Sequence, residues 1–542
     1  MFSSVVIAPF SFPSVYATIL PMNIRKLPIG IQSFEKLRTE NYLYVDKTEF
    51  IYRLASEGST YFLSRPRRFG KSLLLSTMEA YFLGKKELFQ GLKISELEKD
   101  WIKYPIFYFD FNGNKYDTSN DLATVLDLHL SKWEETYGRN PDIAKENLPS
   151  RFNALLEAAH EKTGLGVVVL VDEYDKSLLE SEGEALEESR KLFKGFFGNL
   201  KSCDKHLRFT FITGVTKFSK VSIFSDLNQL NDISFDEDFS TICGITQSEM
   251  EETFSPEIKK LAARYSLSYE SCLAELKRMY DGYHFHQNGE GLYNPFSLIN
   301  TLFKKEFGNY WFASGTPTFL LKKLKEDNFD PRKFSTNELS GKATFLQDYR
   351  DDNPNPIPLF YQTGYLTIKK YDPKYGKYYL GYPNDEVRYS FLDCLIPYFT
   401  KSTRDESSLC VDEFCEDVQN GDIDSFMTRF HSLFANLPYS KTDDAVIEQN
   451  FQNIIYIVFI LMGQFVGVEQ QSSLGRADCI VQADNYIYLF EFKRDKSADE
   501  ALYQIEEKKY AEPFASDKRK LFKIGVNFES KEKNITEWKV VE

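Results

Sequence analysis

Between Tyr42 and about Leu230, short continuous apolar runs alternate with segments of helical period. TYFLS (60–64), IFYFDF (106–111), GVVVLVD (166–172) and FTFITG (209–214) read as strands. Alternation of this kind predicts βαβ units and a mainly parallel sheet. From Gln247 to about Ser440 the chain is helix-rich and aromatic. It is interrupted by NPNPIP and by YDPKYGKYYLGYP, which reads as a hairpin. A third pattern begins near Asp443, with a long apolar helix, three strand-like segments, a polar helix and a last strand, FKIGVNF. These shifts divide the chain into an N-terminal extension (1–23), an α/β domain (24–246), a helical and winged-helix-like middle (247–440) and a second α/β domain (441–542).

Composition narrows the picture. An apolar share of 42% with 15% aromatic residues is ample for buried cores in a chain of 542 residues. The 66 basic against 80 acidic residues leave a net charge of -14, so any nucleic-acid binding must come from local basic patches. Seven scattered cysteines without a C-x-x-C pair point to a reduced, cytoplasmic chain without structural zinc. The opening MFSSVVIAPFSFPSVYATILP is apolar but lacks a basic start, so Met22 is an alternative beginning. No run of about 20 apolar residues is present, so no membrane span is expected.

SRPRRFGKS (64–72) follows the first strand and opens an amphipathic helix. Gly70, Lys71 and Ser72 fit the second half of a phosphate-binding loop, but Arg65 stands where the template has its first glycine. A helix N-terminus aims free N–H groups at an anion, with Arg67 and Arg68 beside them. Lys71 would reach the terminal phosphates of ATP and Ser72 would hold Mg²⁺. VVVLVDEYDK then supplies Asp172 for the metal and Glu173 to orient water, from the end of a neighbouring strand. FTFITG runs into TGVTKFSKVS, placing Thr213, Thr216 and Lys217 where a γ-phosphate sensor sits; turn-capping is the competing use of these hydroxyls.

IGIQSFEKLRTENYLYVDKTEFI, SRPRRFGKSLLLSTMEAYF, VVVLVDEYDK and FITGVTKFSKVSIFSDLNQLNDIS, in that order, resemble the bacterial AAA-ATPase-like family over about residues 24–300. The resemblance implies a P-loop NTPase fold in which an arginine-rich loop is the usual form, so Arg65 reads as a family substitution.

The C-terminal region holds a second constellation. Asp478 opens a strand in GRADCIVQ, while Glu491 and Lys493 end the next in YIYLFEFK. Residues two apart in a strand share a face, so Glu491 and Lys493 point together and Phe492 faces the core. A hairpin would bring Asp478 beside Glu491 as an oxygen site for Mg²⁺ or Mn²⁺, with Lys493 assisting attack on a phosphate. Glu448 on the preceding helix and Gln504 on the following one fall at accessory positions, with Tyr510 nearby. A surface strand with a routine Glu491–Lys493 ion pair is the plain alternative. The order of elements resembles the PD-(D/E)xK nuclease superfamily over about residues 443–530, a restriction-endonuclease-like fold that the AAA-ATPase-like family commonly carries at its C-terminus.

The combined expectation is a cytoplasmic ATPase fused to a metal-dependent nuclease acting on nucleic acid, with DNA favoured. The resemblance adds a setting in defence or mobile-element handling. A nucleotide-switched binding protein is the alternative, and a homo-oligomer is left open. MYDGYHF and the winged hairpin are expected to pack and to space domains.

Overall fold

The computed structural model describes residues 25–217, 229–314, 320, 324, 331–334, 339–347, 355–399, 404–435, 444–464, 466–470 and 478–542. The side chains of 119, 331, 396–399, 404–410, 444–450, 469 and 470 are excepted. The extension 1–23, and residues 218–228 of the fourth family-like block, lie outside this set.

The first sheet comprises β1 (Thr60–Ser64), β2 (Ile106–Asp110), β3 (Val167–Asp172), β4 (Leu207–Gly214) and β5 (Asn231–Asp232) in the order β2-β3-β4-β1-β5. All its pairings are parallel. All six residues of β3 are buried. That requires cover on both faces, and the helices Lys71–Phe82 and Leu148–Thr163 both pack on this strand. The four expected strands are present. The two-residue β5 is too short to leave a periodic signal. Because the strands run in parallel, the ends of β1, β3 and β4 open on one edge, where ligands of such sheets bind.

The helices Gln247–Arg264, Tyr269–Tyr280 and Pro295–Lys304 form a small core of their own around Phe254, Leu261, Tyr280 and Leu298. The expected hairpin is β7 (Thr367–Asp372) and β8 (Lys377–Gly381), with the short β6 (Ser340–Gly341) on the far edge of β8. The helix Asp385–Phe399 follows and packs against the helix Asp444–Met462.

The C-terminal sheet has the order β13-β12-β11-β10-β9, from β9 (Gly467–Gln470), β10 (Cys479–Gln482), β11 (Tyr486–Arg494), β12 (Lys520–Glu529) and β13 (Asn534–Val541). The β11–β12 pair is parallel and the other pairs are antiparallel. The helix Ala498–Glu507 makes the crossover between the parallel strands. FKIGVNF is therefore not the last strand. β13 follows it as a mostly solvated edge whose charged residues hide the alternation.

Candidate active sites

β1 ends at Ser64, paired with Gly214 of β4. The chain then turns through the arginine-rich loop to Gly70, whose φ of 95° lies in the left-handed region that favours glycine. Gly70 caps the helix Lys71–Phe82, which has no acid in its first turn to compete for an incoming anion.

Arg65 has 1% exposure. Its guanidinium donates to the carbonyls of Ser64 and Ser234 at 2.9 Å and of Phe239 at 3.1 Å, and lies 4.1 Å over the centre of the Phe285 ring. Phe69 packs edge-on against Tyr283 and Phe285. The MYDGYHF turn is thus the floor of the loop. The glycine template is replaced here by an internal post, and Arg65 does not face the cavity. Arg67 and Arg68 do line it, with Arg68 over Phe296 at 5.0 Å. Restoring the template with Arg65→Gly is expected to damage the fold. It strips three carbonyls of their donor and empties the space over Phe285, a cost of about 3 kcal/mol or more. Thermal unfolding should fall by at least about 5 °C.

Lys71 is buried and bends back across the loop, donating to the carbonyls of Arg65 at 3.0 Å and Pro66 at 3.2 Å. Asp172, also buried, accepts from the Thr213 hydroxyl at 2.9 Å. Burial pushes its carboxyl up from the ordinary value, while Ser72, Lys71 and Thr213 hold it back. Its strand is not the neighbour of β1, since β4 lies between. Glu173 takes a left-handed φ of 49° and lines the cavity with Lys71 and Ser72.

Two expected sensor residues are corrected. The Thr216 hydroxyl donates to Asp175 at 2.7 Å, and Lys217 pairs with Asp232 at 2.5 Å. Thr213 reaches the site only through Asp172. Asp175 was not singled out from the sequence. It is buried and accepts N–H bonds from Val215 and Thr216, locking the end of β3 to the turn after β4. The visible signal was the third acid of DEYD, its second aspartate. A Cβ on Gly214 would meet Asp175 Oδ1 at 2.5 Å.

The cavity over this loop measures about 520 Å³. Pro28–Gln32 form one wall and Pro295, Phe296, Ile299 and Asn300 another, giving a cleft of the usual ligand size with a cationic base. The middle region touches the loop directly, because Trp311 Nε1 donates to the Arg67 carbonyl at 3.0 Å. The Trp311 amide donates to Glu386 at 2.8 Å, and so does the Ser297 hydroxyl at 2.9 Å. Burial pushes the Glu386 carboxyl up to about 7. The folded protein therefore keeps this proton where the unfolded chain releases it, and stability should fall as pH rises from about 4.5 to about 7. Glu386→Gln, which retains the acceptor oxygen, should flatten that part of a plot of unfolding midpoint against pH.

The second site lies on the β10–β11 hairpin. Cys479 pairs with Phe490, so Asp478 falls opposite Glu491, and the Phe492 amide donates to Asp478 Oδ2 at 2.9 Å. Glu491 is 1% exposed. Its Oε1 accepts from Lys493 Nζ at 2.8 Å and from Gln504 Nε2, while among the described residues no donor meets its buried Oε2 in hydrogen-bond geometry. Lys493 Nζ also donates to Gln504 Oε1 at 2.6 Å, and Gln504 reaches the Tyr510 hydroxyl at 3.4 Å. A surface strand with a casual ion pair would not bury Glu491 or leave one oxygen orphaned. Burial, and then the charge of Asp478, push the Glu491 carboxyl up, with Lys493 opposing. Burial also raises Asp478. Two carboxyls held above their ordinary range with an orphan oxygen fit a divalent cation.

The third expected acid, Glu448, sits on the helix Asp444–Met462, and its side chain lies outside the described residues. Among the described residues no three acidic, His or Cys side chains converge. The basic clusters nearby are largely neutralised, with Lys496 on Glu500 at 3.5 Å and Lys509 on Glu512 at 2.8 Å. Glu491→Gln removes a buried carboxylate and its repulsion with Asp478. It should raise the unfolding midpoint of the metal-free protein by about 2 °C and abolish the further rise on adding Mn²⁺.

Residues 28–224 match the AAA-ATPase-like family, described as a predicted AAA-ATPase, and residues 446–538 match the PD-(D/E)XK nuclease superfamily. The "uncharacterized protein in vnfD 5'region" of Azotobacter chroococcum mcd 1 is 35% identical over 523 residues, 94% of this chain and 97% of its own. The chain belongs to the AAA-ATPase-like family. Both resemblances read from the sequence are those found, and the mixed α/β class with a parallel N-terminal sheet holds. The two matches enclose the two constellations, so this AAA-ATPase-like protein combines an ATPase-type domain with a nuclease-type one. No helix among the described residues is long and apolar enough to cross a membrane.

Proposed function

We propose that this AAA-ATPase-like protein is a cytoplasmic ATPase whose nucleotide state governs metal-dependent cleavage of nucleic acid, DNA before RNA. The orphaned, buried Oε2 of Glu491 beside Asp478 carries the nuclease half. A tail that only bound nucleic acid would have no use for it. We assign residues 24–246 to the ATPase, 247–440 to the connecting middle and 441–542 to the nuclease.

At the first site Lys71 leaves the carbonyls of Arg65 and Pro66 for the terminal phosphates of ATP. Arg67 and Arg68 line the approach, Ser72 and Asp172 are placed to hold Mg²⁺, and Glu173 orients the attacking water. At the second, Asp478 and Glu491 are the ligands for Mg²⁺ or Mn²⁺, with Glu448 as a third. A bound cation there would acidify water and neutralise phosphate charge. Lys493 sets its ammonium against the charge that develops on the phosphodiester, and Gln504 holds both Lys493 and Glu491 in place.

The two halves are in mechanical contact. Arg67 is tied to Trp311, Trp311 to Glu386, and the helix bearing Glu386 packs on the helix that carries Glu448. The reading is tested with labelled single- and double-stranded DNA and RNA, incubated with Mg²⁺ or Mn²⁺, with and without ATP. Cleavage whose rate depends on ATP is expected. Nucleotide-dependent binding without cleavage would reduce the protein to a switch. A setting in defence or mobile-element handling belongs to the same proposal, and so does homo-oligomeric assembly.

A further inference from the structure

The winged hairpin carries a feature that a spacer does not need. Thr367–Gly381 holds four lysines against one aspartate in a chain whose net charge is -14. Its inner face is anchored, with Ile368, Tyr378 and Leu380 buried. Its outer face is not. Tyr379 lies opposite Lys370 in the β7–β8 register and is flanked by cations, Lys370 at 6.0 Å and Lys377 at 5.5 Å from the ring centre. At the tip, Tyr375 is 61% exposed, with Lys374 at 5.0 Å from its ring. Among the described residues, no acid forms an ion pair with Lys370, Lys374 or Lys377. The hairpin's one aspartate, Asp372, is occupied in accepting the Lys374 amide at 2.9 Å. The lysines beside the nuclease site, in contrast, are paired off by neighbouring glutamates.

One aromatic ring open to solvent and one half-buried, spaced by ammonium groups that outnumber the single aspartate, suit a ligand that alternates flat bases with phosphates. We infer that the β7–β8 hairpin is a second nucleic-acid contact, on which unpaired bases stack against Tyr375 and Tyr379 while Lys370, Lys374 and Lys377 follow the backbone. The inference rests on the nucleic-acid reading above, and adds to it a binding surface outside the nuclease domain. An acidic polypeptide would use the lysines but gain little from the rings.

The test uses the full-length protein in EDTA, where cleavage cannot occur. Binding of a fluorescent 20-residue oligo(dT) is followed by anisotropy between 50 and 200 mM salt. Releasing about 0.7 counterion per phosphate, the triple variant Lys370→Ala, Lys374→Ala, Lys377→Ala should lower the slope of log Kd against log salt by about 2. Tyr375→Ala should weaken binding about tenfold with the slope unchanged. Lys370, Lys374 and Tyr375 are exposed and Lys377 is half-buried, with no ion pair among the described residues, so the unfolding midpoints of both variants should stay close to wild type. Variants that bind like wild type, in a protein that still cleaves, overturn the hairpin contact and leave the nuclease standing. Displacement of the oligonucleotide by polyglutamate as readily as by unlabelled oligo(dT) overturns it in favour of an acidic protein partner.

Discussion

Lys493→Ala should reduce cleavage at least about 100-fold while leaving Mn²⁺ binding intact or tighter. The ammonium of Lys493 bridges Glu491 Oε1 and Gln504 Oε1, so it is held in place before substrate arrives. Loss of one such preorganised charge typically costs 10²–10³ in rate. The sign of the metal effect follows from electrostatics. Lys493 opposes the rise of the Glu491 carboxyl, so removing it leaves a more negative cage. A purely structural lysine would instead lower the unfolding midpoint and metal affinity together. Titration of Mn²⁺ alongside single-turnover cleavage separates the two outcomes.

Lys71→Ala should raise the Kd for ATP at least about 100-fold, equivalent to about 2.7 kcal/mol of lost phosphate contact. Lys71 is the buried cation of the loop that lines the cavity, and its present partners are two carbonyls of that same loop. It can exchange them for phosphate oxygens without moving the helix. Lys71→Met, which keeps most of the volume, guards against a folding artefact. The same loss of affinity in both variants assigns the effect to the charge. Unchanged ATP affinity in Lys71→Met would remove the first constellation from the account. Because Trp311 ties the loop to the middle region, cleavage by these variants should also cease to respond to ATP.

How far the sequence foretells this molecule depends on how local the signal is. The loop and the acids at the end of β3 are contiguous, Glu491 and Lys493 are two apart on one strand, and Asp478 lies one hairpin away, so their chemistry could be read directly. The role of Arg65 could not. Its acceptors Ser234 and Phe239 lie 169 and 174 residues away, and no short pattern announces an arginine that points inward. Thr216 and Lys217 misled for the same reason, because their partners Asp175 and Asp232 meet them only through the order of the sheet. Gln504 was read as an accessory position and proves to be the hub that holds Glu491 and Lys493 together. Glu386 gave no signal at all. It is one of two adjacent acids at a helix start, and its burial depends on Ser297 and Trp311, 89 and 75 residues earlier.

The central claim, a nuclease governed by nucleotide, is tested most directly by one set of single-turnover cleavage rates. Wild type, Lys71→Met and Lys493→Ala are compared on the same labelled DNA with Mn²⁺, with and without ATP. The account predicts a wild-type rate that changes with ATP, a Lys71→Met rate that does not, and a Lys493→Ala rate at least about 100-fold lower. A Lys493→Ala rate close to wild type, or a wild-type protein that cuts no nucleic acid with either metal, would contradict it.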